Sequence, residues 1–302
     1  MELQWGSHPT MSALHATWCL ATTDGPFNPR AMALKNAAQE LKSTLTSMRV
    51  QRDLAWEELL CLAPDEEGIP DFVARFCRKC GCDTDPNLNL LEHALRRVLV
   101  DFRQAFPKNP EEMRVRTGPL KLQWDARGPG LLHTIGRFTV PDLIVESARI
   151  LLVQPILSGA GYVHFRTNRV HTEALLTDDD PELPEILRIA WMLAQLDFER
   201  SVYVDLVNRR RLNLLAGLAM LPAALMAADY LEMGHYSTQS LRKALVQWRV
   251  APAGYDVDAI IQILTTWWET YDVDRPEWRI ALGALSRLLD SIAPSDTQPS
   301  NV

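Results

Sequence analysis

The segment from Leu212 to Ala228 is almost wholly apolar and directly follows a run of three arginines. Such a segment either crosses a membrane or forms the central helix of a large helical core. A membrane-spanning helix needs about 20 strongly apolar residues. This segment is instead rich in alanine, is interrupted by Asn213 and Pro222, and ends at Asp229. The sequence therefore favours a buried central helix, and we expect no membrane partner.

Apolar residues recur at helical spacing through most of the remaining chain. Within residues 88–106, for example, Leu91, Leu95 and Val98 fall on one face of a helix. Asn28 is followed by a proline, which predicts the start of an earlier helix, since Asn caps helices and Pro suits the first helical position. The chain as a whole is therefore predicted to be mainly helical.

The middle of the chain departs from this helical spacing. Residues 149–157 form a β-type run, residues 158–161 form a turn, and two further extended pieces follow at 162–168 and 169–176. Extended runs separated by a glycine-rich turn are typical of a hairpin. The predicted fold class is therefore mainly α, of the α+β type: a multi-helical domain with a small antiparallel β insertion.

The predicted domain organisation has four parts. Residues 1–27 show no sustained period and many small or polar residues, so we expect a disordered N-terminal segment. Residues 28–148 are predicted to form a helical N-terminal part. Residues 149–292 are predicted to contain the β insertion and then a helical C-terminal part. Residues 293–302 are polar and are predicted to be a disordered tail.

The composition limits the kinds of partner and the cellular compartment that we expect for this protein. The net charge of −7 disfavours nucleic acid, which needs a positive footprint. The five cysteines are an odd number in a large chain, which disfavours a secreted disulfide framework. The N-terminus lacks the basic and apolar regions of a signal peptide. We therefore expect a soluble cytoplasmic protein.

The strongest local pattern for chemistry is Pro184-Glu-Ile-Leu-Arg188, on a helix that follows the extended pieces. It resembles the zincin-type metallopeptidases, which place His-Glu-x-x-His on a helix after an antiparallel sheet. Pro184 and Arg188 stand where the zinc-binding histidines would be, and Glu185 matches the glutamate that activates water. The resemblance implies Glu185 as a catalytic residue. The alternative is that Glu185 only compensates the helix dipole, pairs with Arg188 and is exposed.

Three residues on the extended pieces are candidate metal ligands: His164, His171 and Glu173. In a strand, His171 and Glu173 share one face, and two ligands on one face could bind zinc if Glu185 or a distant histidine completed the set. The alternative is that these are ordinary surface residues. The sequence itself identifies no cofactor.

Cys77, Cys80 and Cys82 form a second metal-like pattern, because Cys-x-x-Cys at a turn is half of many zinc sites. A complete site needs another pair of ligands, and only Cys61 and His93 lie nearby in sequence. Free cysteines that pack as small apolar side chains are the favoured interpretation.

Two blocks, residues 118–132 and 182–196, resemble an uncharacterised bacterial protein family of the planctomycete type. That resemblance implies a bacterial cytosolic protein and implies no catalytic residue.

The function predicted from these features is a non-catalytic binding or scaffold protein, whose partner is unidentified and could be another protein. We expect its binding surface to be a groove between the β insertion and the helix at residues 182–198. The predicted walls of this groove are Arg166, His171, Glu173, Glu185 and Arg188. The alternative is a metal-dependent hydrolase with unusual ligands, related to degenerate zincins.

Overall fold

The computed structural model describes residues 1–65, 68–176, 180–207, 209–251 and 254–293. Within those residues the chain forms twelve α-helices and four β-strands, which confirms the mainly α fold class. The predicted disordered tail, apart from Ala293, lies outside the described residues.

The elements of the N-terminal half are β1 (Glu2–Ser7), α1 (Pro9–Thr22), α2 (Lys35–Ser47), α3 (Arg52–Leu62), α4 (Ile69–Cys80), α5 (Asp85–Ala105) and α6 (Asn109–Phe138). The remaining elements are β2 (Ser147–Val153), β3 (Gly161–His164), β4 (Arg169–Glu173), α7 (Glu185–Leu193), α8 (Ser201–Val204), α9 (Arg209–Tyr230), α10 (Thr238–Gln247), α11 (Val257–Asp274) and α12 (Trp278–Ser291).

The strands form one mixed sheet in the order β1-β2-β4-β3. β1 pairs with β2 in parallel, β2 pairs with β4 in parallel, and only β3 and β4 are antiparallel. The predicted insertion was therefore correct in position but wrong in being purely antiparallel. The parallel pairs arise because a strand from the first residues of the chain joins the sheet beside β2.

The N-terminal segment is ordered, so the prediction of disorder for residues 1–27 was wrong. Leu3 and Trp5 of β1 pack against the core, and Met11 and Leu14 of α1 are completely buried. Helix α1 is buried on nearly all sides by the sheet and by α2, α3 and α5. A helix buried all round shows no amphipathic period, which is why the sequence pattern did not indicate one.

Helix α6 is longer than its sequence predicts, because the segment Gly128-Pro129-Gly130 is typical of a break between two short helices, at 119–127 and 130–137. The structure has one helix of 30 residues with Pro119 and Pro129 inside it. Each proline removes one backbone hydrogen bond, but the helix is held by buried side chains such as Trp124 and Leu131. The Gly128 backbone packs against the Trp124 ring, and a Cβ added at Gly128 would lie 2.3 Å from the nearest indole atom.

The sheet lies between two helical layers with separate apolar cores. One face, carrying Ile150, Leu152 and Val170, packs in a core formed mainly by α6, α7 and α9–α12. The other face packs against α1, and Val153 joins the core formed by α1–α5. The strands thus contribute to both cores. α6, which lies in the predicted N-terminal part, packs with the C-terminal core.

Helix α9 contains the long apolar segment from Leu212 to Ala228. Its window from Arg211 to Tyr230 is apolar enough to span a membrane, but 78% of it is buried inside the protein. The segment is therefore the central helix of the C-terminal core, which supports a soluble protein.

Candidate functional site

Five polar side chains are buried together where β3 and β4 face α1. We call them the histidine cluster; its members are His15, Cys19, His164, His171 and Glu173. His164 is 4% exposed and the other four are completely buried. His15 and Cys19 lie one turn apart on α1, whereas His171 and Glu173 alternate along β4 and so share a face. The predicted metal ligands are thus brought together, but with two residues that the sequence analysis missed.

The three histidines form a continuous hydrogen-bonded chain that ends at Glu173. His164 Nε2 lies 2.9 Å from His171 Nδ1, and His171 Nε2 lies 3.1 Å from His15 Nδ1. His15 Nε2 then lies 3.0 Å from Glu173 Oε1. An ionised carboxylate only accepts hydrogen bonds, so His15 donates from Nε2 to Glu173. When His15 Nδ1 carries no proton, His171 Nε2 donates to it and His164 Nε2 donates to His171 Nδ1. This direction leaves His164 Nδ1 as a buried acceptor without a partner in the described part of the chain.

The Glu173 carboxylate is held by the loop that follows β2. Its Oε1 accepts the backbone N–H groups of Ile156 and Leu157, both at 2.8 Å. Its Oε2 accepts those of Gly159 at 2.8 Å and Ala160 at 3.3 Å. Burial alone would raise the pKa of Glu173, but the hydrogen bond and electrostatic interaction with His15, together with the backbone N–H groups, lower it overall. The side chain is therefore a carboxylate that four backbone donors stabilise.

This loop needs a glycine at its turn. Ser158 and Gly159 have φ values of +59° and +145°. A Cβ added at Gly159 would lie 2.5 Å from the carbonyl oxygen of Gln247. The glycine therefore permits both the backbone turn and the close approach to α10.

Arg188 braces the same loop from helix α7. Its Nη1 donates to the carbonyl oxygens of Gly159 and Ala160, and its Nη2 donates to that of Glu173 at 3.1 Å. Its Nε donates to Glu185 at 3.0 Å, and a second bond from Nη2 completes the ion pair.

The predicted pairing of Glu185 with Arg188 is confirmed, but the predicted exposure is wrong. Glu185 is only 6% exposed and Arg188 only 1%. Helix α7 is enclosed by the sheet, α6 and α9, so its charged residues occur there as a pair.

His164 and His171 are neutral at physiological pH. Burial, reinforced by Arg169 and Arg166, lowers the pKa of His164 to about 3. Burial and the neighbouring His15 and His164 hold the pKa of His171 well below its usual range. Burial, with the nearby Glu173 carboxylate, raises the pKa of Cys19 well above its usual value, so Cys19 is a thiol.

Two other predicted groups are not members of the histidine cluster. Arg166 forms an ion pair with Glu58 on α3 and lies 3.6 Å from Glu57. Cys77, Cys80 and Cys82 are free cysteines, and burial raises the pKa of Cys77 and Cys80 to about 12.

In the described part of the chain, only His15, Cys19 and Glu173 place three metal-binding atoms within 4.8 Å of one another. The cysteine segment does not bring its three sulfur atoms that close.

A large cleft lies beside the histidine cluster, between β3 and the helices α7, α9 and α10. It has two adjoining chambers of about 440 Å³ and 550 Å³ that share Trp18, Trp248 and Arg249. We call it the tryptophan cleft; its aromatic lining consists of Trp18, Trp56, Tyr162, Trp191, Trp248 and Tyr255. The predicted groove between the sheet and the 182–198 helix therefore exists, but its walls are not the five residues that the sequence suggested.

Two aromatic side chains separate the tryptophan cleft from the histidine cluster. The Trp18 ring lies 5.8 Å from that of His15, and the Tyr162 ring stacks on His171 at 6.3 Å. The cleft also holds polar groups. The Trp56 Nε1 and Arg249 Nε atoms are buried without a partner in the described residues. Asn213 donates to the Tyr162 hydroxyl at 2.7 Å.

Comparison with known protein families, curated proteins and solved structures yields no match for this chain. Neither the planctomycete-type nor the zincin-type resemblance therefore has support from a known relative.

Proposed function

We propose that this chain is a non-catalytic binding protein that holds a small planar aromatic anion in the tryptophan cleft. The observation that carries the proposal is the cleft itself, lined by four tryptophans and one arginine. Its volume falls in the range of about 300–1,000 Å³ that is typical of small-molecule sites, which are mostly apolar with a few polar groups.

The aromatic lining favours a planar ligand. Trp191 and Trp248 lie 5.3 Å apart between ring centroids and face the cleft together with Trp18. A stacked or edge-on aromatic pair contributes roughly 0.5–1.5 kcal/mol beyond its area burial. An aromatic ring that contacts two or three of these side chains would gain from each contact.

Arg249 favours a negative charge on that ligand. Its guanidinium makes one long contact, from Nη2 to the Leu157 carbonyl oxygen at 3.5 Å. In the described part of the chain it pairs with no carboxylate. A cation at the wall of an apolar cleft is stabilised by an anion that accepts hydrogen bonds from its fork of donors. A carboxylate on the aromatic ligand would supply that partner.

The alternative function, a metal-dependent hydrolase, receives less support. A catalytic zinc needs an open position that the substrate can reach, and the histidine cluster is closed off behind Trp18 and Tyr162. A water-activating role for Glu185 would also require its ion pair with Arg188 to break. A cytoplasmic location remains part of the proposal and is supported by the five free cysteines.

The proposal is tested by titrating the protein with 2-naphthoate, a planar aromatic carboxylate. The heat of binding is measured by calorimetry, and the tryptophan emission is measured by fluorescence. We expect saturable binding with quenching. We expect Arg249→Gln to weaken binding at least tenfold, or about 1.4 kcal/mol, and to leave binding of the uncharged 2-naphthamide unchanged.

Arg275→Gln is the matched control. Arg275 also follows a helix, has a φ of +44° close to the +55° of Arg249, and is exposed away from the cleft. The control should bind like the wild type. Absence of saturable 2-naphthoate binding, or equal loss in both variants, would contradict the proposal.

A further inference from the structure

We infer that His15, Cys19 and Glu173 form a buried binding site for one divalent cation of the zinc class. The site is separate from the tryptophan cleft, and the inference does not depend on the proposed ligand. It rests on donor type, donor spacing, charge balance and the way neighbouring groups hold the three side chains.

The donor spacing suits a small cation. His15 Nε2 lies 3.0 Å from Glu173 Oε1 and 3.5 Å from Cys19 Sγ, and all three donors lie within 4.8 Å of one another. Ligand bonds of about 2.0–2.3 Å in a tetrahedral site place donors roughly 3.3–3.6 Å apart. An ion would therefore need only small movements of these side chains, with a water molecule as its fourth ligand.

The donor set indicates which cation binds. A mixture of imidazole nitrogen, cysteine sulfur and one carboxylate oxygen favours zinc over calcium or magnesium, which prefer oxygen alone. A divalent ion beside one thiolate and one carboxylate has a net charge of zero. That balance matters because all three side chains are completely buried, and an unbalanced charge there is costly.

The surrounding groups hold the ligands in place. The Glu173 carboxylate is fixed by four backbone N–H groups, so only its hydrogen bond from His15 would be replaced by the ion. A metal-bound histidine usually donates its other ring N–H to a neighbour. His171 Nε2, 3.1 Å from His15 Nδ1, is in position to accept it. On binding, the Cys19 and His15 Nε2 protons leave, each imidazole then donates from Nδ1 in the reverse direction, and His164 takes up one proton at Nδ1. The three imidazoles therefore stay neutral, and the thiol proton is the net loss.

The positions of the three ligands on α1 and β4 also favour metal binding. His15 and Cys19 are four residues apart on α1, so their side chains project from the same face. Glu173 comes from β4, across the interface between α1 and the sheet. A bound ion would therefore tie the N-terminal helix to the sheet directly.

The test measures the amount of zinc bound to the full chain and the absorption spectrum of cobalt bound in its place. Protein prepared with zinc and then dialysed is analysed by mass spectrometry for metals, and we expect about one zinc per chain. Cys19→Ala should reduce bound zinc at least fivefold. Cys77→Ala is the matched control, because Cys77 is also completely buried in a helix, and it should retain zinc.

Circular dichroism establishes that both variants fold. A second measurement needs no variant: chelator-treated wild-type protein is titrated with cobalt, and we expect thiolate-to-cobalt charge-transfer absorption. Wild-type protein that holds no zinc and shows no cobalt–thiolate absorption would overturn the inference. So would a Cys19→Ala variant that retains the full amount of zinc. Equal loss of zinc in Cys77→Ala and Cys19→Ala would overturn it as well. Naphthoate binding is measured separately, so failure of this site leaves the proposed function standing.

Discussion

The two faces of the central sheet are equally buried but are built from different kinds of side chain. On the face toward α6, α7 and α9, Ile150, Leu152 and Val170 are completely buried and apolar. On the face toward α1, His171 and Glu173 are also completely buried but polar. Because the side chains of a strand alternate between faces, β4 contributes apolar side chains to one buried face of the sheet and polar side chains to the other.

The difference shows two ways of stabilising a buried interface. The stability contributed by the apolar face depends on the buried area and the filled volume, which impose no directional requirement. Small changes there therefore have graded effects on the free energy of unfolding. The polar face depends on specific donors and acceptors, and removing one partner leaves buried groups unsatisfied. Changes on the polar face should therefore cost more than changes of similar size on the apolar face.

The largest effect is expected from Glu173→Ala. This change leaves four backbone N–H groups and His15 without their acceptor, and breaking buried charged contacts costs about 3–5 kcal/mol. The free energy of unfolding is measured in urea on metal-depleted protein. Glu173→Gln, which keeps one acceptor oxygen, should recover part of the loss. A loss below about 1 kcal/mol in Glu173→Ala would contradict this reasoning.

Arg188→Met should cost about 3 kcal/mol, because it removes the ion pair of buried Glu185 and leaves three carbonyl oxygens, two in the loop and one on β4, without this donor. Adding Glu185→Gln should restore about 1 kcal/mol or more by removing the buried charge that has lost its ion pair with Arg188. The two single variants and the double variant are compared by urea unfolding. Strictly additive losses would show that the pair is not coupled.

Ile150→Val tests the apolar face. Removing one buried methylene-sized group costs about 0.5–1.5 kcal/mol, and Ile150 is completely buried in the C-terminal core. The expected loss is therefore about 1 kcal/mol, well below that of Glu173→Ala. A loss as large as that of Glu173→Ala would remove the distinction between the faces.

Glu58→Gln tests an ion pair at the rim, where α3 meets the residues after β3. Burial alone would raise the pKa of Glu58, but Arg166 and Lys79 hold it below its usual value of 4.5. The stabilisation is therefore present above about pH 4.5 and is lost as the pH falls through the folded pKa.

Because Arg166 and Lys79 are partly exposed, we expect at most about 1 kcal/mol at pH 7. Unfolding of the wild type and of Glu58→Gln is measured from pH 7 downward, and the difference should vanish in acid. A difference that grows with falling pH would reverse the assigned sign.

The smallest effect is expected from Thr172→Val. Thr172 lies between His171 and Glu173 on β4 but points to the apolar face, where its buried hydroxyl has no partner in the described residues. Replacing this hydroxyl with a methyl group should leave the stability within about 0.5 kcal/mol of the wild type or increase it. A loss above about 2 kcal/mol would show an unrecognised hydrogen bond on that face.

The sequence by itself predicted the features that depend on local spacing. The amphipathic period at 88–106 corresponds to α5, and the long apolar segment corresponds to the core helix α9. The alternation of His171 and Glu173 placed both side chains on one face of a strand, and the three-residue spacing predicted the Glu185–Arg188 pair.

Only the tertiary structure decided the rest of the site. His15 and Cys19 belong to a helix buried on nearly all sides, so no amphipathic period distinguishes it from an irregular segment. Strand β1 pairs in parallel with β2, more than a hundred residues away, and nothing local to either strand specifies that partner. The tryptophan cleft likewise combines residues of α1, α3, α7 and α9 with β3 and the residues that follow α10. Contacts between distant elements are set by how buried surfaces fit together, which sequence spacing does not encode.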